Sequence, residues 1–172
     1  SSVAHYYNTA IGDAAMQGST SGDKNVAVGT SAMMNDSAGT GGSNNVAIGF
    51  GTLRKHSDAG AVAVGSNSMN VNTTGEGNTA VGYNTLVGNT TGSYQTAIGY
   101  DALYSNITGN YNTALGYRAL YTNVDGDGQT AIGYKALISS EPSDGGGLNT
   151  AVGFEAGYGV TTGHSHVIAG YR

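Results

Sequence analysis

The most suggestive pair of metal-ligating side chains in this sequence is His164 and His166, with a single serine between them. Imidazole nitrogens are common ligands of transition metals, and residues two apart in an extended strand point to the same side. If three chains packed around a common three-fold axis, their copies of the pair would bring the imidazoles together into one coordination site. The alternative is an ordinary polar end of a coil, and both interpretations stay open. No other cofactor is expected.

A second candidate for ion binding is the run Asp125-Gly126-Asp127-Gly128, which is similar to a fragment of a calcium loop. A calcium loop of the EF-hand type needs further oxygen ligands at fixed spacing and a closing glutamate, and this chain has neither. Asp-Gly pairs are above all turn formers. A calcium site and a simple turn are therefore the two hypotheses for this run.

Arrangements of residues that would support catalysis are absent from the sequence. There is no Gly-x-Ser-x-Gly elbow, and the four histidines show no nucleophile–base spacing. A glycosidase needs two carboxylates roughly 5–9 Å apart, whereas Glu76, Glu141 and Glu155 are expected to be isolated from each other by coils. The chain is predicted not to be an enzyme, with a polysaccharide-binding or polysaccharide-degrading domain kept as an alternative.

These residues are set in a repeat, because a five-residue block ending in glycine recurs along the whole chain. The glycine-to-glycine spacing is usually 17 residues, once 16 and twice 20. The blocks are Asn8–Gly12, Asn25–Gly29, Asn45–Gly49, Ala61–Gly65, Asn78–Gly82, Gln95–Gly99, Asn112–Gly116, Gln129–Gly133, Asn149–Gly153 and the degenerate His166–Gly170. Units this short cannot fold alone and must stack on one another. The sequence therefore predicts an all-β, parallel β-solenoid of about ten coils, each of roughly 17 residues.

A second block, Tyr-x-Ala-Leu in its clearest copies, follows each glycine. Within the first block, Thr or Val and Ile or Val share one face of a strand, and Ala lies on the opposite, nearly bare face. A column of Leu and Met supplies the remaining apolar side chains: Met16, Met33, Leu53, Met69, Leu86, Leu103, Leu120 and Leu137. The two longer units place their extra residues in connectors, at Gly39–Ser43 and near Glu141–Gly147. Because so thin a core is hard to stabilise alone, three chains are predicted to share it.

Two polar or aromatic columns at the coil spacing are candidate binding surfaces. The amide column is either a polar groove or a ladder in which each side chain hydrogen-bonds the next coil. The aromatic column is either a platform for sugar rings or a stack of tyrosines that cover the backbone. The amide column comprises Asn8, Asn25, Asn45, Asn78, Gln95, Asn112, Gln129 and Asn149, and the ligand-facing aromatic column comprises Tyr83, Tyr100, Tyr117 and Tyr134, with Phe50, Phe154 and Tyr171 in the same register.

The threonine column raises the hypothesis of an ice-binding face. Thr stands at the first strand position in six coils, and Val stands there in four others. Thr and Val are nearly isosteric and both favour strands, and no T-x-T pair occurs within a coil. An ice-binding solenoid is therefore an alternative. The Thr column comprises Thr9, Thr79, Thr96, Thr113, Thr130 and Thr150, and Asn-x-Ser/Thr sequons begin at Asn35, Asn72, Asn89 and Asn106.

Composition excludes several classes of partner. The chain has 172 residues, 30 of them Gly, no Cys, a net charge of −5 and six scattered basic residues. Nucleic-acid binding needs a basic stripe that neutralises phosphates, and membrane insertion needs about 18 or more consecutive apolar residues. We expect neither nucleic-acid binding nor direct membrane insertion.

Blocks such as Asn112-Thr-Ala-Leu-Gly-Tyr-Arg-Ala-Leu120 resemble the head repeats of trimeric autotransporter adhesins, the YadA-like family, and related repeats of trimeric bacteriophage tail fibres. The resemblance extends from about Tyr7 to Gly170, although the family's head repeats are usually shorter. It implies a left-handed β-roll in a homotrimer, with residues 1–172 forming one segment of a longer fibre. It also implies an extracellular location, on a cell surface or virion, and attachment to a host-cell glycan or protein receptor.

Overall fold

The computed structural model describes residues 6–35, 42–57, 59–140 and 147–172. Most of the two predicted connector insertions, together with Glu141, lies outside the described residues. One strand of three residues begins each coil. These strands are β1 (Thr9–Ile11), β2 (Val26–Val28), β3 (Val46–Ile48), β4 (Val62–Val64), β5 (Thr79–Val81), β6 (Thr96–Ile98), β7 (Thr113–Leu115), β8 (Thr130–Ile132), β9 (Thr150–Val152) and β10 (Val167–Ala169).

The ten strands form one parallel sheet in chain order. Each strand pairs with the next without a shift in register, so that Ala97 lies opposite Ala80 on one side and Ala114 on the other. The prediction of an all-β parallel solenoid of about ten coils is confirmed, and the described residues contain no helix. Accordingly, no described segment is a long apolar helix of the kind that spans a membrane.

The alanine at the centre of each strand from β2 to β9 points into the coil. In β2 to β9 this alanine is completely buried, whereas the residues on either side of it are half-buried or exposed. The Leu and Met column packs in the same interior, with Leu86, Leu103, Leu120 and Leu137 fully buried. The bare alanine face is thus covered by side chains of the same chain.

The glycine that ends each strand is required by the geometry of the bend. Gly99 has a φ of +132°, a conformation that side chains with a Cβ rarely adopt. A Cβ at this position would also lie 2.5 Å from the carbonyl oxygen of Gly116 in the next coil. Backbone strain and close approach therefore both demand glycine.

The second block is not a strand, because its backbone alternates between right- and left-handed conformations. Asp101 and Leu103 have φ values of 54° and 48°. The amide of Asp101 donates to Tyr83 in the preceding coil at 3.0 Å, and that of Leu103 donates to Ala119 in the following coil at 3.0 Å. Alternate peptide groups therefore hydrogen-bond to the preceding and to the following coil, which joins the coils. Each left-handed residue costs roughly 1 kcal/mol of backbone strain.

Candidate functional site

The outer side of the sheet is an apolar face made by the first and third residues of each strand, called here the β-branched face. Its third-position residues are half-buried or exposed, with Ile98 at 39%, Leu115 at 42% and Val152 at 43% among the exposed ones. The flanking Thr96 is also exposed. Each strand pairs with the next without a shift in register. These side chains therefore form two parallel rows along the solenoid.

The interior opposite the Leu column is polar, and the predicted amide column lies there. Oδ1 of Asn112 accepts the backbone amide of Gln129 in the next coil at 2.8 Å, and Nδ2 of Asn112 donates to the carbonyl of Gly126 at 2.7 Å. The same pattern recurs at Asn25, where Oδ1 accepts the amide of Asn45 at 2.9 Å. The column thus links coils through side chain–backbone hydrogen bonds and is buried from Asn25 onward.

A second buried amide column was not identified from the sequence as a ladder. Asn89 donates to Oδ1 of Asn72 at 2.7 Å, Asn106 to Asn89 at 2.8 Å, and Asn123 to Asn106 at 2.9 Å. All four are completely buried. A signal was available, because each follows the core Leu or Met by three residues and precedes a glycine by three. Three of them, Asn72, Asn89 and Asn106, begin sequons. Because their side chains are buried, these sequons are inaccessible in the folded chain.

The two amide columns converge on the same glycine carbonyls. Gly92 accepts from Asn78 at 2.8 Å and from Asn89 at 2.9 Å. Gly109 accepts from Gln95 and from Asn106 in the same way. Buried polar groups are expensive unless they are paired, and this convergence pairs them coil after coil.

His56 replaces an asparagine of the second column and joins it to the first. Its Nδ1 lies 2.9 Å from Nδ2 of Asn72, and its Nε2 lies 3.2 Å from Oδ1 of Asn45. The amide must donate to Nδ1, and the asparagine oxygen must accept from Nε2. The pattern therefore fits a neutral ring with its proton on Nε2.

The aromatic column is a continuous stack on the surface. Ring centroids of Tyr83 and Tyr100 lie 5.1 Å apart, those of Tyr100 and Tyr117 5.5 Å, and those of Tyr117 and Tyr134 5.3 Å. Phe154 and Tyr171 extend the same stack. Because neighbouring rings cover one another's faces, the inner rings offer a ligand their edges and hydroxyls rather than a face on which a sugar could stack.

A charged column runs beside this stack and is called here the charged flank. It consists of the residues that follow the aromatic position by one: Asn67, Asn84, Asp101, Arg118, Lys135, Glu155 and Arg172. Nε of Arg118 lies 3.2 Å from Oδ2 of Asp101. Its guanidinium carbon lies 5.2 Å from the ring centroid of Tyr117 and 5.0 Å from that of Tyr121.

Contacts within and beside the charged flank raise the pKa values of one tyrosine and two basic side chains. Desolvation, followed by the negative charge of Asp101, raises the pKa of Tyr100. The hydrogen bond to Asp101 raises the pKa of Arg118, and the hydrogen bond with Tyr134 raises that of Lys135. Both basic side chains are therefore held in their charged forms.

The structure describes the backbone at the His164–His166 pair and a contact of Asp127, the two candidate ion sites. Ser165 has a φ of +62°, so the backbone between His164 and His166 is not extended and the expected common direction of the two rings loses its basis. Oδ1 of Asp127 accepts the backbone amide of Asn110 at 2.5 Å, which is a coil-to-coil contact. Among the described residues no group of three or more His, Asp or Glu side chains is placed to hold a metal.

The described residues also form no enclosed pocket. Glu76 and Glu155 are five strands apart along the solenoid, between the ends of β4 and β9. The described residues instead present extended accessible surfaces, among them the β-branched face, the aromatic stack and the charged flank. Comparisons of the chain with protein-family models, with curated proteins and with solved structures find no match.

Proposed function

We propose that this chain is a stiff structural and adhesive segment of an extracellular fibre, in which three copies pack as left-handed β-rolls around one axis. The observation that supports it best is the β-branched face. Ten strands at about 4.8 Å spacing make this face roughly 45 Å long. Continuous exposed apolar patches larger than a few hundred Å² are typical of interaction surfaces.

The distribution of apolar side chains within one chain also supports the trimer. Within the strands, the small alanines point into the coil, and the larger Ile, Leu and Val side chains of the third position point outward. A soluble single-chain solenoid gains nothing from that distribution, because burial of apolar area is what stabilises folded chains. A trimer that buries the β-branched face would recover this energy. The YadA-like resemblance agrees with this arrangement, and with attachment of a bacterial cell or phage particle to a host-cell glycan or protein.

The mechanism of such a segment is mechanical. In-register coils give a rod with little freedom to bend, and the rod holds a binding surface away from the cell or particle. Repeated weak contacts along three parallel chains would add up through avidity. No catalytic step is needed for this role.

The decisive experiment is native mass by light scattering on wild-type protein and two matched variants. Ile98→Lys places a charge on the β-branched face, and Ile107→Lys places one at an equally exposed connector position, since the two side chains are 39% and 42% exposed. We expect a three-chain mass for wild type and Ile107→Lys, and a folded monomer for Ile98→Lys. A monomeric wild type of about 17.2 kDa would overturn the trimer.

A second candidate uses the same face. The rows of Thr and Val, most of them half-buried, repeat at the coil spacing along the sheet, which is the kind of surface on which an ice-binding solenoid depends. The two functions exclude one another on this face, because a buried interface cannot contact ice. Thermal hysteresis from a monomeric wild type, lost in Ile98→Lys, would favour ice binding over the fibre.

A further inference from the structure

The charged flank brings two positive side chains next to one another. Arg118 and Lys135 occupy the same position in successive coils, and the amide of Lys135 donates to Tyr117 at 2.8 Å, immediately before Arg118 in the chain. Like charges held in the same position of neighbouring coils repel. Their acidic neighbours, Asp101 and Glu155, lie on the outer sides of the pair.

Each cation keeps donors for a ligand. Arg118 uses Nε for Asp101, and its terminal nitrogens make no hydrogen bond to the described residues. The side chain is 37% exposed, and contact with Tyr117 and Tyr121 limits its motion. An oriented guanidinium matches a carboxylate through two parallel hydrogen bonds. Lys135, whose Nζ lies 5.1 Å from the ring centroid of Tyr134, provides a second positive charge one coil away.

The tyrosines beside Arg118 and Lys135 favour a carboxylate that belongs to a sugar. The edges and hydroxyls of Tyr100, Tyr117 and Tyr134 form a row along the solenoid beside the two cations. Phenolic hydroxyls both donate and accept hydrogen bonds, as sugar hydroxyls require. A linear ligand with a repeating pattern of hydroxyls can follow such a row from coil to coil.

We propose that Arg118 and Lys135, with the adjoining tyrosine hydroxyls, bind the carboxylate groups of an acidic polysaccharide that lies along the charged flank. This assignment rests on the proposed adhesive role and names the class of its ligand. Arg118 pairs with a uronate carboxylate, Lys135 with the same or the next one, and the tyrosines with ring hydroxyls. Asp101 acts as a positioning residue that holds the guanidinium.

The test is calorimetric binding to four polymers, with native mass measured in parallel. Polygalacturonate carries carboxylates on sugars, dextran is an uncharged sugar, dextran sulfate is a sulfated sugar, and poly-L-glutamate carries carboxylates without sugar. We expect polygalacturonate to bind more tightly than the other three, and less tightly at higher salt. Equal or tighter binding of dextran sulfate would show simple anion attraction, equal binding of poly-L-glutamate would show that sugar is irrelevant, and either result overturns the proposal.

Variants locate the site. Arg118→Gln and Lys135→Gln should each weaken binding by roughly threefold to fivefold, and Arg118→Lys should also weaken it because the forked donor is lost. Lys24→Gln is the matched control: it removes the same charge from a coil near the other end of the solenoid and should change nothing. If Lys24→Gln weakens binding as much as Arg118→Gln does, the assignment is wrong. A trimer that does not bind polygalacturonate refutes this site alone, whereas a binding monomer refutes the trimer alone.

Discussion

The side-chain amide of Asn106 donates to Oδ1 of Asn89 at 2.8 Å, and both residues are completely buried one coil apart. Asn106 also donates to the carbonyl of Gly109 in its own coil at 3.1 Å and accepts from Asn123 at 2.9 Å. One side chain therefore ties together three successive coils. In a solenoid with a thin apolar core, a fully paired polar interior fixes the register of the coils.

Replacement of Asn106 by alanine is expected to destabilise the chain by roughly 2–4 kcal/mol. The substitution leaves buried partners on Asn89 and Asn123 unpaired, and each unpaired buried group costs about 1–3 kcal/mol. Thermal or urea unfolding followed by circular dichroism measures the change. The control is Thr108→Ala in the same connector, where an exposed side chain is shortened and the effect should stay within about 0.5 kcal/mol. Equal stability of Asn106→Ala and Thr108→Ala would contradict the ladder's structural role.

The buried ladder also predicts the fate of three sequons. Asn72, Asn89 and Asn106 are completely buried and use both side-chain atoms for hydrogen bonds. A glycan on any of them cannot be accommodated between the coils. If the chain is secreted from a eukaryotic host, we expect soluble folded protein to be unmodified at these positions and any modified chains to aggregate. Mass spectrometry of peptides from the soluble and aggregated fractions checks this, and folded protein with occupied Asn89 would contradict it.

Alanine in place of Gly99 should destabilise the chain more than alanine in place of Gly170. Both glycines have strongly positive φ values, 132° and 120°. A Cβ on Gly99 meets the Gly116 carbonyl oxygen at 2.5 Å, whereas a Cβ on Gly170 meets nothing within 4 Å. Backbone strain of about 1–3 kcal/mol applies to both, so the difference between their unfolding free energies isolates the clash. Similar losses in the two variants would show that backbone strain alone demands glycine.

Much of the fold follows from periodicity alone. The spacing of Gly99, Gly116 and Gly133 predicts coils, bends and parallel stacking, and these are what the structure has. Period two within the strand correctly separates Ala97 from Thr96 and Ile98. Which of the two faces is inside does not follow from that period, because the larger apolar residues of the strand itself point outward here.

The second amide column escaped prediction for a related physical reason. Its direction depends on left-handed residues such as Leu86 and Leu103, which turn the chain so that Asn89 and Asn106 point inward. Non-glycine residues seldom adopt this conformation, so the regular spacing of Asn89 and Asn106 after Leu86 and Leu103 does not by itself show that these amides point inward. The charged flank was missed because Arg118 and Lys135 stand in a variable position of the repeat, and only stacking brings them together.

Alkaline pH should destabilise the folded chain partly through Tyr100. Desolvation, and then the charge of Asp101, raise the pKa of this phenol above its ordinary value, with smaller contributions from Tyr83 and Tyr117 and an opposing one from Arg118. The folded state therefore holds the phenolic proton more tightly than the unfolded state does. The resulting stabilisation is complete below the unfolded pKa of about 10 and is lost as the pH rises through the folded pKa.

We therefore expect Tyr100→Phe to lose stability less steeply than wild type between neutral pH and pH values above about 10. Tyr111→Phe is the control, because Tyr111 belongs to a separate stacked pair with Tyr94 and should follow the wild-type curve. Urea unfolding at a series of pH values gives the slopes, and the phenolate absorbance of wild type minus Tyr100→Phe gives the titration of Tyr100 itself. A difference titration with its midpoint at or below that of free tyrosine would show that the surroundings of Tyr100 do not favour its neutral form.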